Sequence, residues 1–178
     1  MATTYTLISS NTLSSSAASV TFSSIPSTYT DLVLKVSARS SRADTLDYLK
    51  IQINSITSGY SDTYLTTGSA ASPQSARDSS SSIFGIGATL AIPGSNGTTN
   101  TFGSFEMYIP SYTVSQNKPM NSIAVAESNS ATASTYYITS EAELLSNTAT
   151  VSSITITPYV GPNFLTSSSF YLYGVKKS

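Results

Sequence analysis

Residues 31–39 read DLVLKVSAR, with Leu32, Leu34, Val36 and Ala38 at every second position and Val33, Lys35 and Ser37 between them. A period of two belongs to a β-strand, whose successive side chains point to opposite faces; the stretch therefore predicts a strand with one buried face. The same alternation recurs along the chain. In 48–54, Leu49, Ile51 and Ile53 oppose Lys50, Gln52 and Asn54, and in 105–109, Phe105, Met107 and Ile109 oppose Glu106 and Tyr108. Ile123 and Val125 continue the pattern, as do Ile154 and Ile156 against Thr155 and Thr157. Residues 136–144 set Ile138, Ala142 and Leu144 against Glu141 and Glu143. The apolar set is expected inside and the glutamates on a solvated strand face. Weaker strands are expected at 5–9, 19–23, 62–65 and 83–86, and a last one at 169–176.

These segments amount to roughly nine to eleven short strands separated by turn residues, the spacing of a sandwich or barrel rather than of a βαβ fold. The expected fold class is all-β: a two-sheet antiparallel β-sandwich, jelly-roll-like, with four or five strands per sheet. Composition agrees. Ser and Thr make up about a third of the chain, with 12 Tyr and 6 Phe and only 10% charged residues. Thr, Tyr, Val and Ile favour strands, Ser, Asn and Gly favour turns, and helix-forming periodic runs are missing. Single helical turns are expected at most, near 43–46 or 142–145. The 178 residues suit one domain, and 1–178 is read as a single β-sandwich domain. Residues 9–18, 66–82 (TTGSAASPQSARDSSSS) and 93–100 (PGSNGTTN) read as loops. The long Ser-rich one at 66–82 is expected to carry partner contacts.

The net charge is −1, which provides little long-range attraction to phosphate backbones or anionic membranes. No nucleic-acid or membrane partner is expected. No charged-then-apolar leader and no long apolar run appear, so the chain is expected to be soluble and unprocessed, as suits a protein released by lysis. With no His and no Cys, there is no Ser-His-Asp triad, imidazole base, thiolate nucleophile or zinc site. Gly85 and Gly87 (FGIGAT) share only a fragment of a nucleotide-binding loop. Glu141 and Glu143 stand about 7 Å apart along one strand, between the retaining and inverting glycosidase ranges. Such pairs normally face each other across a cleft, so a hydrolase is the minor reading. Asp44 and Asp47 flank a turn without matching a calcium loop. No catalytic residue, cofactor or metal is expected.

Surface contact is the remaining mode of action. The strand at 169–176 places Phe170 and Leu172 on one face and Tyr171, Tyr173 and Val175 on the other. Both faces are apolar or aromatic, which suits a strand covering the core with one side and a partner with the other. Tyr is enriched at interfaces because it offers area with a polar tip, and Arg because its planar fork binds carboxylates and carbonyls. The interface candidates are Tyr5, Leu7, Arg39, Arg42, Arg77, Tyr171, Tyr173 and Val175. Asn54, Tyr60, Asp62 and Tyr64 lie close enough in sequence to form an alternative glycan platform of aromatic rings and polar groups.

Four segments carry a family resemblance. They are YTLISSNTLSSSAASVTFSSIPSTYTDLVLKVSARS (5–40), YLKIQINS (48–55), TFGSFEMYIPSY (101–112) and SSFYLYGVKKS (168–178). In this order they resemble a group of tailed-phage virion proteins, cyanophage proteins among them. Those domains open with a YxLI-like strand and a Thr/Ser-rich second strand. A "Y(T/D)LVL" strand follows, and the chain ends in "SxFxLYGxKK". The resemblance implies a jelly-roll-like virion domain and no catalytic residues. It implies either a capsid decoration (cement) protein or part of a tail or fibre; the expected reading is the former, bound to the major capsid protein shell as a homotrimer, since decoration proteins are commonly trimers at local three-fold positions. Such a protein is made in the host cytoplasm and ends on the capsid surface. Three other expectations stay open: a tail, fibre or baseplate component contacting host glycan, a free carbohydrate-binding or adhesion module, and the hydrolase.

Overall fold

The computed structural model describes residues 4–68, 73–85, 89–127 and 137–176. The strands are β1 (Tyr5–Thr12), β2 (Val20–Phe22), β3 (Asp31–Ala38), β4 (Leu46–Ile53), β5 (Tyr60–Thr67), β6 (Gln74–Ser81), β7 (Ala91–Pro93), β8 (Gly103–Ile109), β9 (Lys118–Ala126), β10 (Tyr137–Leu145), β11 (Ile154–Pro158) and β12 (Ser169–Val175). They form an eight-stranded sheet, β1-β12-β3-β8-β9-β10-β5-β6, and a four-stranded sheet, β2-β11-β4-β7. Among the described residues all of the strand pairings are antiparallel. The all-β sandwich expected from the sequence is present, but the two layers are unequal.

The core follows from the alternation. Leu32, Leu34, Val36 and Ala38 of β3, Phe105, Met107 and Ile109 of β8, and Phe170 and Leu172 of β12 project inward. They pack in one cluster with Leu49, Ile51 and Ile53 of β4, Ile154 and Ile156 of β11, and Val20 and Phe22 of β2. Each buried aliphatic or aromatic side chain of this kind contributes about 1.5–3 kcal/mol. β12 lies between β1 and β3, so its inner residues meet the core while Tyr171 and Tyr173 lie half-buried on the outside. Gly174 of β12 is the close-approach position: the Tyr29 ring lies directly on it, where any Cβ would overlap the ring.

Two buried cations tie loops to the sheets. Arg39 follows β3 and is buried against the 95–101 loop, donating to the carbonyls of Thr98 (2.5 Å), Gly97 (2.7 Å), Ser95 (3.0 Å) and Thr101 (3.4 Å). Lys118 at the start of β9 donates to Gln116 O (2.5 Å), Val114 O (2.8 Å) and Thr148 O (3.3 Å). Each cation gathers several loop carbonyls around one charged donor, and hydrogen bonds of that kind are worth more than neutral ones.

Several local expectations are corrected. The stretch 66–82 is not one long loop. Thr66 and Thr67 close β5, and Gln74–Ser81 form β6, an edge strand paired with β5; residues 69–72 lie outside the described residues. Most side chains of β6 are exposed on both faces, so it carries no apolar alternation for a sequence reading to detect. No helix occurs among the described residues; 43–45 precede β4, and 142–145 lie within β10. The expected strand at 83–86 is an isolated bridge between Phe84 and Ile51. Residues 86 and 87, and residue 136 of the expected strand 136–144, lie outside the described residues.

The largest correction concerns β9 and β10. Their alternation is present with the faces exchanged: Glu141 and Glu143 point into the molecule, whereas Ile123, Ile138 and Leu144 point out. Apolarity alone assigns the wrong face when the outer face itself carries an apolar surface.

Candidate functional site

The outer face of the eight-stranded sheet gathers most of the exposed apolar side chains. Among the described residues, large exposed apolar side chains are Tyr5, Leu7, Leu65, Ile123, Ile138 and Leu144 on this face, with Val114 and Val160 elsewhere. The ladder register places them in rows across the strands. Leu65 lies opposite Ser140, Ser140 opposite Ile123, Ile123 opposite Glu106, Glu106 opposite Lys35, and Lys35 opposite Tyr171. A second row runs from Ile138 to Val125 and on to Ser104. Leu65 is 57% exposed and Ile123 is 50% exposed. Monomeric soluble proteins rarely leave contiguous apolar patches uncovered unless these bind something.

At the other end of this face the rings of Tyr5, Tyr173 and Tyr171 form a run. Tyr5 meets Tyr173 edge-on at 6.4 Å, and Tyr173 stacks with Tyr171 at 6.4 Å. Between the aliphatic and aromatic ends lies the Lys35–Glu106 ion pair (2.8 Å), with both side chains about half exposed. The Glu106 carboxylate raises the Lys35 pKa, and the pair leaves this central strip without net charge. Shallow grooves of about 250 and 360 Å³ flank it, the first floored by Ser104, Asn121, Ile123 and Val125, the second by Ser37, Ser169, Tyr171 and Tyr173. Glu106 and Ser104 line both grooves, and Lys35 joins them in the second. The face as a whole carries aliphatic and tyrosine side chains interspersed with Ser140, Ser104, Lys35 and Glu106.

Most of the expected interface residues lie on this face. Tyr5 and Leu7 are exposed on β1, and Tyr171, Tyr173 and Val175 are half-buried on β12. Arg77 is exposed on β6 opposite Thr63. Arg39 and Arg42 do not join them. Arg39 is buried in its cradle of carbonyls, and burial lowers its pKa. Arg42 donates to Leu46 O (3.1 Å) and pairs with Asp44 (2.9 Å). Sequence reasoning misses Leu65, Ile123, Ile138 and Leu144 as surface residues, because an apolar residue at strand spacing is normally assigned to the core.

The alternative glycan platform is not assembled. Tyr60 is in the core, edge-on to Phe84 at 4.7 Å, with its hydroxyl accepting from Ile53 N. Asn54 closes a turn: its amide donates to Thr150 O, and its carbonyl accepts from the backbone N–H groups of Ser152 and Ser153. Asp62 is buried, and Tyr64 shares its inward-facing side of β5. Asp47, weighed above as a calcium ligand, is buried, and its side-chain oxygens already accept from Ser40 Oγ (2.6 Å), Gly161 N (2.9 Å) and Val160 N (3.1 Å).

The inner face of the same strands holds an acidic group. Asp62 of β5 is 3% exposed, and Glu141 and Glu143 of β10 are 3% and 4% exposed. Ser122 of β9 donates to Glu143 Oε1 at 3.2 Å. Among the described residues no well-formed hydrogen bond reaches either oxygen of Asp62, either oxygen of Glu141, Oε2 of Glu143 or the buried hydroxyl of Thr89. Burial pushes the Glu141 carboxyl up to about 7; the neighbouring Thr89 hydroxyl opposes this and the charge of Asp62 adds to it. Burial and then the charge of Glu141 push Glu143 well above the usual carboxylate range. Burial and the charge of Asp78 raise Asp62. The two glutamates lie on one strand beneath the sheet, not across a substrate cleft. Family models, curated proteins and solved structures return no match to this chain.

Proposed function

We propose that this chain is a non-catalytic structural protein that acts by docking the outer face of its eight-stranded sheet onto another protein. The observation that carries this reading is the gathering of Leu65, Ile123, Ile138 and Leu144, with the Tyr5–Tyr173–Tyr171 run, on one face. The resemblance of the four segments to tailed-phage virion proteins makes the proposal specific: a decoration protein that stabilises the outer capsid shell, present as a homotrimer. In chain order the strands pass repeatedly between the two layers, β1 to β2 to β3 to β4 to β5 and again through β6 to β7 to β8. That alternation supports a jelly-roll-like plan.

The occupant is a surface of the capsid shell with apolar and aromatic groups and little net charge. It follows from the broad form of the face, its shallow grooves and its internally compensated Lys35–Glu106 pair. Three copies bound at once add through effective concentration, so a tight clamp needs only modest contacts per copy. The test is addition of purified protein to empty shells. Wild type is expected to co-sediment with them, and Leu65→Asp combined with Ile123→Asp is expected to abolish this while keeping the β-sheet circular dichroism spectrum. Undiminished co-sedimentation of the double variant overturns the reading.

A further inference from the structure

We propose that the inward carboxyl groups of Asp62, Glu141 and Glu143 act as a proton-operated lock on the β9–β10–β5–β6 end of the larger sheet. Protonated, they let this end close; ionised, they loosen it. The lock stands independently of the docking proposal, because its readout is the stability of the chain alone.

The argument begins with register. Asp62 and Glu143 are directly opposite in the β5–β10 ladder, and Glu141 lies two residues along on the same inner face. Asp78 of β6 is opposite Asp62 and half-buried, so the acidic row spans three strands. Side chains opposite one another in an antiparallel pair have Cβ atoms about 4.5–5.5 Å apart, and like charges there are destabilising. Removing several carboxylates from water without partners is far more costly than their mutual repulsion alone.

The groups that face this row from each packed element do not neutralise it. Ser122 of β9 supplies one hydrogen bond to Glu143. Tyr64 of β5 is itself raised by burial and then by the charges of Asp78, Asp62 and Glu141. Lys118, buried on the same inner side of β9, directs its ammonium to three backbone carbonyls. Thr89, which precedes β7, is 2% exposed and lies beside Glu141, where its hydroxyl opposes the effect of burial but makes no well-aligned hydrogen bond. Among the described residues no group of three His, Cys, Asp or Glu side chains is placed to hold a metal ion, and a proton is a partner that the row can take up from solvent. Protonation turns a carboxylate, an acceptor only, into a group that also donates, and Thr89 and the neighbouring carboxyl oxygens stand ready to accept. The proton comes from and returns to bulk solvent.

The directions of the shifts agree with this geometry. All three carboxyls are raised, so the folded state holds more protons than the unfolded state between the ordinary carboxylate range and the raised values. Stability contributed in this way is present at acidic pH and is lost as pH rises through that interval.

The experiment is urea unfolding of the full chain across pH about 5 to about 9, with hydrogen exchange read strand by strand. Protection of β5 and β10 amides, corrected for intrinsic exchange, is expected to fall by about tenfold or more across this range, while β3 and β12 amides change less. Glu141→Gln with Glu143→Gln is expected to flatten the profile. Asp62→Asn alone is expected to move its midpoint to lower pH, because the glutamates lose a negative neighbour that raises them. Glu106→Gln on the outer face leaves it unchanged. A flat wild-type profile, or a wild-type pH dependence in the double glutamine variant, overturns the proposal. Restoration of alkaline stability by calcium alone also overturns it, by showing a cation in the place of the protons.

Discussion

Asp62 on β5 lies directly opposite Glu143 on β10, and both side chains point into the molecule, away from the apolar surface on the other side of the same strands. One pair of strands therefore presents acids to the interior and aliphatic groups to solvent. That inversion joins the two proposals: the exposed apolar side calls for a partner, and the buried acidic side calls for protons.

Replacing the fully buried acid of this pair by an apolar side chain of similar length removes its cost. Glu143→Met is expected to stabilise the chain by about 1–3 kcal/mol above neutral pH. The gain shrinks toward acidic pH, where wild-type Glu143 is already neutral. The sign follows from its raised pKa: stability lost by wild type as pH rises is not lost by the variant. Urea midpoints at two pH values measure the difference.

Arg39 is expected to be the most sensitive of the three arginines. Arg39→Ala leaves the carbonyls of Ser95, Gly97, Thr98 and Thr101 without their shared donor and is expected to cost about 3–5 kcal/mol. Arg77→Ala, on an exposed edge strand, is expected to change stability by less than about 0.5 kcal/mol. Chemical denaturation of both variants separates a clamp from a surface charge.

Much of the fold is legible in the amino-acid sequence. The strands at 31–38, 46–53, 103–109 and 154–158 bury apolar residues at alternate positions, so both the strand and its inner face can be read. For β9 and β10 the period is legible but the face is not, because Ile123, Ile138 and Leu144 are as apolar as any core residue. β6 is hidden because an exposed edge strand has no apolar face. The interface candidates on β1 and β12 stand out through their tyrosines and the two apolar faces of β12. Arg39 and Tyr60 are assigned to the surface wrongly. Residue type cannot distinguish a guanidinium held by loop carbonyls, or a tyrosine held by Ile53, from an exposed one.

Asp47 offers a contrast with the acidic row, since it is buried but fully hydrogen-bonded. Asp47→Asn exchanges an acceptor for a donor facing the N–H groups of Val160 and Gly161. It is expected to destabilise by about 1–3 kcal/mol. A thermal melt of the variant beside wild type tests this.

Gly174 is predicted to tolerate no side chain while Tyr29 is present. Gly174→Ala is expected to cost about 1–3 kcal/mol through overlap with the ring. Tyr29→Ala in the same chain is expected to remove most of that clash, so the pair is non-additive. A double-mutant cycle by urea unfolding reads the coupling.

The chain has no cysteine, so a single introduced thiol reports its own surroundings. The decisive measurement is the maleimide reactivity of Ile123→Cys on the outer sheet face and of Val114→Cys, exposed elsewhere, in free protein and in assembled particles. The expected result is that the thiol at 123 reacts in the free chain and is protected after assembly, while that at 114 reacts in both. Equal reactivity at 123 before and after assembly would contradict docking through this face.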